Sequence, residues 1–350
     1  MVAVPPSLTA VLGEVALRVL KIAVAIAVGV GLANVAIEFG AVDRITALAK
    51  PLTRPANLPP EVGTAILTTT ASPTAGYGML AEYRESGLLD DRATLVAVTM
   101  NTVFGFAQHI FTFYGPVLIP ILGLQVGLMY VGARAAIALC ITLTGVLAGF
   151  VLLSEENVDT TVDADTDAPG VTDGGTADQQ SADDTPTSTR EKFRAAGEST
   201  VEKVWDILPR LAGVYVLVAL LVEYNVELAA ALTDAAGRPL PDVAALVTPL
   251  TGALGLPPAA VPAVGVFAVD TTSGAVFIAP LVENGTFTAR AAVATMLVGG
   301  IVSFAVSTFK RSIPFQYGIW GAEFGSKVIL VNTVLKMGFI AVALAVLLVP

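Results

Sequence analysis

The chain has 350 residues, of which 55% are hydrophobic and 14% are charged. This composition suits a helical membrane protein with several spans better than a soluble protein. The formal net charge is −10, but residues 154–200 alone hold 12 acidic and 3 basic side chains, so the acidity belongs to one segment. No basic nucleic-acid-binding patch is present, and the single cysteine, Cys140, excludes an intramolecular disulfide.

Long apolar stretches predict membrane spans, and the first is expected to stay as an anchor because no basic signal-peptide region precedes it. The predicted spans are 12–39, 93–113, 127–153, 204–224, 290–309 and 328–349. Amphipathic pieces at 41–57 and 243–254 read as interfacial helices. Gly115, Pro116 and Pro120 predict a break between the second and third spans.

Two further apolar segments are interrupted, and we call them the first broken segment (60–86) and the second broken segment (257–283). In the first, a hydroxyl-rich stretch at 68–78 contains Pro73, Gly76 and Gly78. Such residues release backbone hydrogen-bonding groups, which are tolerated at membrane depth only against protein or a water-filled cavity. The break is therefore a candidate site.

The same break occurs twice, 198 residues apart, since Ser72 corresponds to Asp270, Thr74 to Thr272 and Gly76 to Gly274. At that spacing, 23 of the 81 positions from 47 to 127 meet an identical residue, and many of these are glycine or proline. Internal repeats with broken helices at matching positions indicate a transporter site where the repeats meet.

A segment rich in Asp, Thr, Ser and Gly, 154–189, has almost no apolar side chains and is predicted to be disordered. It divides the chain into a first membrane half (1–153), an acidic linker with its lead-in (154–200) and a second membrane half (201–350).

Four features of the first half resemble the Gate, or nucleoside-recognition, domain shared by concentrative nucleoside transporters, ferrous-iron permeases and spore-maturation membrane proteins. They are the Leu58-Pro59-Pro60 lead, the break at 68–78, the Glu85-Ser86-Gly87 turn and the following span with Asn101. Residues 256–309 resemble a divergent second copy.

In the transporter members, this resemblance implies two broken hairpins whose tips meet near the middle of the membrane and hold substrate and coupling ion. The tips would correspond here to Ser72, Pro73, Thr74 and Gly76, and to Asp270, Thr271, Thr272 and Ser273. The chain has no GTP-binding domain like that of iron permeases. It also lacks the further acidic and Gln residues expected on the first hairpin of a nucleoside transporter, so the substrate stays open.

Asp270 is the strongest candidate for a site residue, because an ionisable side chain inside a membrane segment normally faces a cavity or a partner. With Thr271, Thr272 and Ser273 it offers oxygen ligands for Na⁺ or H⁺ coupling or for a solute; the alternative is a helix N-cap. Ser72 and Thr74 fit the same two interpretations, as lining of the same cavity or as capping around Pro73.

Asn101 and Gln108 are seven residues apart, on one helix face, where they could bind a ligand's amide or base edges or hold neighbouring helices together. His109, the only histidine, is a candidate proton relay or ligand, or a hydrogen-bonded interface residue. No second His or Cys supports a transition-metal site. No cofactor motif or catalytic arrangement indicates an enzyme.

We therefore predict an all-α integral membrane protein with two homologous halves, each containing a broken or re-entrant helical segment. Re-entrant segments would leave three spans in each half and make the halves inverted, whereas fully crossing segments would make them parallel; analogy with transporters favours inversion.

The predicted function is that of a multi-pass permease or secondary transporter in the cell membrane for a small polar solute, with a nucleoside as one candidate. The expected partners are the lipid bilayer, the solute and a coupling cation, and a homo-oligomer is compatible with the sequence. The alternative is a membrane scaffold or regulator that keeps the Gate fold without moving solute.

Overall fold

The computed structural model describes residues 8–38, 53–159, 254–308 and 312–348, with scattered residues between 194 and 216 and residue 252. Most of the predicted disordered segment, most of the predicted span at 204–224 and most of both interfacial pieces lie outside the described residues. The first residues of the predicted disordered segment, 154–159, are ordered, with a 3-10 helix at Glu155–Asn157. Within them the chain is almost entirely helical, and its β structure is one isolated bridge between Leu89 and Val158. The predicted all-helical class is confirmed.

The helices of the first half follow one another with short connections. They are α1 (Leu8–Glu38), α2 (Pro60–Ala71), α3 (Pro73–Glu85), α4 (Asp91–Met100), α5 (Thr102–His109), a π-helix (Ile110–Leu118), α6 (Ile119–Leu122) and α7 (Leu124–Leu152). Short 3-10 helices occupy Arg54–Ala56 and Glu155–Asn157.

The described part of the second half has a similar but shorter order of helices. Its helices are α8 (Ala260–Val269), α9 (Thr271–Glu283), α10 (Ala289–Ser307) and α11 (Ile313–Leu348).

Among the described residues, four helical stretches are long and apolar enough to cross a membrane. They are Leu8–Leu32, Asp91–Leu122, Leu124–Leu152 and Ile313–Leu348. Large apolar side chains on their outer faces are exposed, such as Leu20 at 61% and Leu147 at 63%. An exposed apolar surface of this extent suits contact with lipid, so the fold is that of a membrane protein.

Each broken segment consists of two helices that meet at one residue with extended backbone. Ser72 (φ −141°, ψ 105°) separates α2 from α3, and Asp270 (φ −149°, ψ 127°) separates α8 from α9. Each of these side chains also caps the helix that follows. The Ser72 hydroxyl accepts a hydrogen bond from the Ala75 N–H at 3.3 Å, and the Asp270 carboxylate accepts one from the Ser273 N–H at 2.6 Å.

Glycine lets the two helices of each broken segment fold back closely on each other. A Cβ atom at Gly76 would lie 2.6 Å from the Ala65 carbonyl oxygen and would overlap the Thr69 hydroxyl. A Cβ atom at Gly274 would lie 2.5 Å from the Cα of Phe267, which corresponds to Thr69 in the repeat. Both segments are therefore tight helical hairpins. A re-entrant path through the bilayer and inversion of the halves stay predictions.

The turn after each hairpin is built from the same hydrogen bonds at the same 198-residue spacing. Leu89 N–H donates to the Tyr83 carbonyl at 2.9 Å, and Phe287 N–H donates to the Leu281 carbonyl at 2.9 Å. The following helices begin with equivalent caps, Asp90 for α4 and Thr288 for α10. The backbone geometry of the two hairpins and turns is thus shared although most of their side chains differ.

The predicted break at Gly115, Pro116 and Pro120 is wrong in its position. Pro116 lies inside the π-helix, and the helical path continues from Asp91 to Leu122. A π-helix widens the turn, which accommodates the proline ring and its missing N–H donor. The chain breaks instead at Gly123 (φ 78°, ψ 161°), and again at the corresponding Gly321 (φ 73°, ψ 166°) inside α11.

Two buried apolar clusters hold these helices together. One joins α1, the π-helix and α7 to the second broken segment and α10, through side chains such as Ile26, Val117, Tyr130 and Phe267. The other packs the first broken segment and α4 against Trp320 and Phe324 of α11. The second half therefore contributes to both clusters, and the described helices form one packed unit.

Candidate functional site

A cavity of about 560 Å³ lies beside the break of the second broken segment. It is bordered by the C-terminal end of α5, the π-helix, α7, the junction of α8 and α9, α10 and α11. Polar side chains and aromatic rings share its wall. The polar residues are His109, Arg134, Asp270, Thr271, Thr272, Ser303, Ser307 and Lys336, and the aromatic ones are Phe113, Tyr114, Tyr130, Phe267 and Phe304.

Asp270 reaches the cavity because the helix break places its side chain at the N-terminus of α9. One carboxylate oxygen, Oδ2, accepts the hydrogen bond from Ser273 N–H. The N-terminal end of a helix carries partial positive charge, so this contact stabilises the carboxylate. The predicted alternative of helix capping therefore describes a real contact of Asp270, and the same residue also borders the cavity.

Arg134 enters the cavity from α7 and lies against aromatic side chains. Its guanidinium donates to the Tyr114 hydroxyl at 3.4 Å, and Tyr114 itself is buried between rings, 6.1 Å from the Tyr130 centroid. Gly300 of α10 faces the guanidinium, since a Cβ there would lie 3.6 Å from it. Within the described part of the chain Arg134 forms no ion pair.

Lys336 supplies a second positive charge from α11. Its Nζ atom lies over the Phe304 ring, 4.6 Å from the centroid, and the side chain is half-buried. This cation–π contact offsets part of the free-energy cost of removing the ammonium group from water. No carboxylate of the described residues pairs with it.

His109 is exposed at the mouth of the cavity, where α5 passes into the π-helix. Its Nδ1 atom lies 3.1 Å from the Gly105 carbonyl oxygen. Because a carbonyl oxygen only accepts, Nδ1 carries the proton in this contact, and in the neutral ring Nε2 is left as an acceptor.

The structure brings together four of the nine predicted site residues, His109, Asp270, Thr271 and Thr272, in the wall of one cavity. Ser273 adjoins them through its backbone N–H, which holds the Asp270 carboxylate. The residues of the first broken segment do not line this cavity: Ser72 caps α3 and Thr74 is exposed.

Asn101 and Gln108 also lie outside the cavity wall. Asn101 is buried at the junction of α4 and α5, where its Nδ2 atom donates to the Thr69 hydroxyl of α2 at 2.8 Å. This contact matches the alternative that Asn101 holds neighbouring helices together. Gln108 is half-buried.

Arg134, Lys336 and the serines of α10 were not among the predicted site residues. Neither cation has a charged counterpart 198 residues away, since Arg134 corresponds to Asn332 and Lys336 corresponds to Ala138. The signal that could have found them is their position: each is a charged side chain deep in a predicted span, without an opposite charge four residues away.

Apolar helices of membrane-spanning length around a polar cavity define the class of the molecule, a helical membrane protein. Residues 19–151 match the family described as Gate: Nucleoside recognition. The resemblance predicted from the first broken segment and the span with Asn101 is thereby confirmed.

Two similar proteins both come from Methanocaldococcus jannaschii and are described as uncharacterized. The chain is 22% identical to MJ0871 over 322 residues, which cover 91% of this chain and 89% of that protein. It is 22% identical to MJ0880 over 318 residues, covering 89% of this chain and 91% of that protein. No solved structure matches the chain significantly.

Proposed function

We propose that the protein is a multi-pass permease of the cell membrane that moves a small polar solute through the cavity at the second broken segment. The observation that carries this proposal is a cavity of about 560 Å³ lined by one carboxylate, two cations and several hydroxyls among otherwise apolar helices. Ligand cavities in proteins commonly measure 300–1,000 Å³. Charged groups are costly inside a membrane and mark solute or ion pathways there.

The second broken segment would bind both solute and coupling cation. The Asp270 carboxylate holds the N-terminus of α9 through Oδ2, and its other oxygen has no hydrogen-bond partner among the described residues. Together with the hydroxyls of Thr271 and Thr272 it offers the hard oxygen ligands that Na⁺ or a proton requires. Two broken helices at matching positions support this arrangement, because transporters bind at such discontinuities.

Substitution of Asp270 tests the proposal, and the first broken segment supplies the matched control. Asp270→Ser keeps a capping side chain of the kind found at Ser72 but removes the carboxylate, whereas Asp270→Ala removes both. The full chain would be reconstituted in liposomes with an inward Na⁺ or proton gradient. Uptake of labelled uridine, adenosine, uridine 5′-monophosphate and benzoate would then be measured.

We expect at least one of these solutes to accumulate above protein-free liposomes. Asp270→Ser should lower its uptake by roughly tenfold or more, a loss of about 1.4 kcal/mol, with little change in thermal stability. Ser72→Ala, which removes a cap outside the cavity, should lower stability but not the uptake per folded protein. If no solute accumulates, the permease proposal fails and the membrane scaffold becomes the better description.

A further inference from the structure

Building on the proposed permease function, we propose that the solute is an organic anion whose carboxylate or phosphate group binds between Arg134 and Lys336. The two cations line the same cavity from different helices, α7 and α11. The proposal concerns the class of solute, and it separates an anionic solute from a neutral one such as a nucleoside.

The two cations of the cavity have no carboxylate partner among the described residues. Among the described residues, Arg134 donates only to the neutral Tyr114 hydroxyl, and Lys336 lies over the Phe304 ring and forms no ion pair. A cation withdrawn from water without an opposite charge is costly, and a bound anion removes that cost. The two cations of this cavity therefore favour the binding of a negatively charged group.

The Asp270 carboxylate does not neutralise either cation. Its carboxylate is held at 2.6 Å by the Ser273 N–H, at the positive end of α9, and it forms an ion pair with neither cation. The carboxylate is thus compensated by the helix terminus while the two cations stay available. Arg134 and Lys336 together outnumber Asp270, so the cavity wall has a net positive charge.

The side chains of the site suit a carboxylate or phosphate group. The guanidinium of Arg134 can donate two parallel hydrogen bonds to a carboxylate or phosphate, and the ammonium of Lys336 adds a point charge. Gly300 lies close to this guanidinium, since a Cβ atom built at Gly300 would be 3.6 Å from one of its nitrogens. The aromatic rings of Phe113, Tyr130 and Phe267 border the remaining volume and suit an unsaturated carbon body.

Thermal stability in a nonionic detergent tests binding directly, with benzoate and its neutral amide, benzamide, as a matched pair at constant ionic strength. We expect benzoate to raise the unfolding temperature and benzamide to leave it unchanged, because only the first carries a charge. Arg134→Gln and Lys336→Gln should each abolish the shift, and Arg134→Lys should restore part of it. Lys327→Gln, which removes an exposed lysine of the same helix outside the cavity, should keep the full shift.

A lipid phosphate could supply the same negative charge, so a second arm compares vesicles of phosphatidylcholine with vesicles containing phosphatidylglycerol. Benzoate should stabilise the protein in phosphatidylcholine, and phosphatidylglycerol should not replace it. If phosphatidylglycerol alone stabilises the wild type but not Arg134→Gln, the site holds a lipid headgroup and the anionic-solute proposal is overturned.

Uptake into liposomes separates this inference from the permease function itself. Uridine 5′-monophosphate or benzoate should accumulate at least about tenfold more than uridine or benzamide, and Lys336→Gln should remove that preference. Uptake of the neutral members alone would overturn the inference and leave the permease standing. Equal stabilisation by benzoate and benzamide would also overturn it.

Discussion

At the level of single residues, Ser72 and Asp270 occupy the same position in two hairpins and make the same contact with the following helix. Capping therefore explains why a polar residue stands at each break, but it does not explain a charge at only one of them. The charge at only one break agrees with the surroundings of the two residues, since Asp270 borders the cavity and Ser72 does not.

A second polar contact, between α2 and α4–α5, is expected to be structural. Thr69→Val leaves the Nδ2 group of Asn101 buried without its acceptor, whereas Thr68→Val removes an exposed hydroxyl bonded to its own helix. Loss of a buried hydrogen-bond partner should lower the free energy of unfolding by about 1–2 kcal/mol, and the control should change it by less than about 0.5 kcal/mol. Chemical denaturation in detergent measures both, and equal effects would contradict this role for Asn101.

The sequence predicted the break residues well and the cavity incompletely. Ser72 and Asp270 could be predicted because proline, glycine and hydroxyl residues act on the local backbone. Arg134 and Lys336 could not be paired, because their meeting depends on the packing of α7 against α10 and α11, which no local pattern encodes. The contact of Asn101 with Thr69 of α2 could not be predicted either, because it depends on how α2 packs against the junction of α4 and α5.

At the level of elements, the two hairpins depend on close contact between their helices. Gly274→Ala would place a methyl group 2.5 Å from the backbone of Phe267, so α8 and α9 would have to separate. Overpacking of this kind should destabilise the protein by about 1–3 kcal/mol. Thermal unfolding of the detergent-solubilised chain measures the change.

Gly265→Ala is the matched control, since a methyl group there meets nothing within 4 Å on the same hairpin. Alanine also favours helix over glycine, so this variant should be neutral or more stable by up to about 1 kcal/mol. If both variants lower stability alike, the close approach of α8 and α9 is not what the glycine provides.

Hydropathy predicted the span at 127–153 to within a few residues of Leu124–Leu152. The predicted spans 93–113 and 328–349 were too short, since the helical stretches are Asp91–Leu122 and Ile313–Leu348, and the predicted span 290–309 is only a shorter apolar helix. The predicted break at Pro116 was wrong because this proline lies inside a π-helix, where the helical path continues. Gly123 and Gly321 carry the real interruptions, and their positive φ values follow from a backbone conformation that glycine alone adopts without strain.

At the level of the whole molecule, α11 connects the two halves. Lys327 of α11 lies 2.9 Å from Asp91 of α4, and Asp91 also pairs with Arg84 of α3 at 2.7 Å. The side chains are 46% and 41% exposed for Lys327 and Asp91, so water screens the attraction.

A double-mutant cycle with Asp91→Asn and Lys327→Gln should give a coupling of about 0.2–1 kcal/mol that falls as salt is added. The cycle between Lys327 and Glu323 is the control, because that pair is 3.6 Å apart within one helix and Glu323 is 92% exposed. The coupling of this control pair should be smaller. If the cycle between Asp91 and Lys327 gives no coupling, this ion pair does not hold α4 to α11.

The 198-residue correspondence between the hairpins also has a consequence for how such a molecule can evolve. In an assembly of two identical subunits, every mutation at a hairpin tip would be inherited by both tips at once. When both copies are encoded by one gene, each can change alone, as the serine at one tip and the aspartate at the other illustrate. Two hairpins of similar backbone in one chain can thus differ in the side chains at their tips, so that only one of them, through Asp270, places a carboxylate beside the cavity while Ser72 at the other does not.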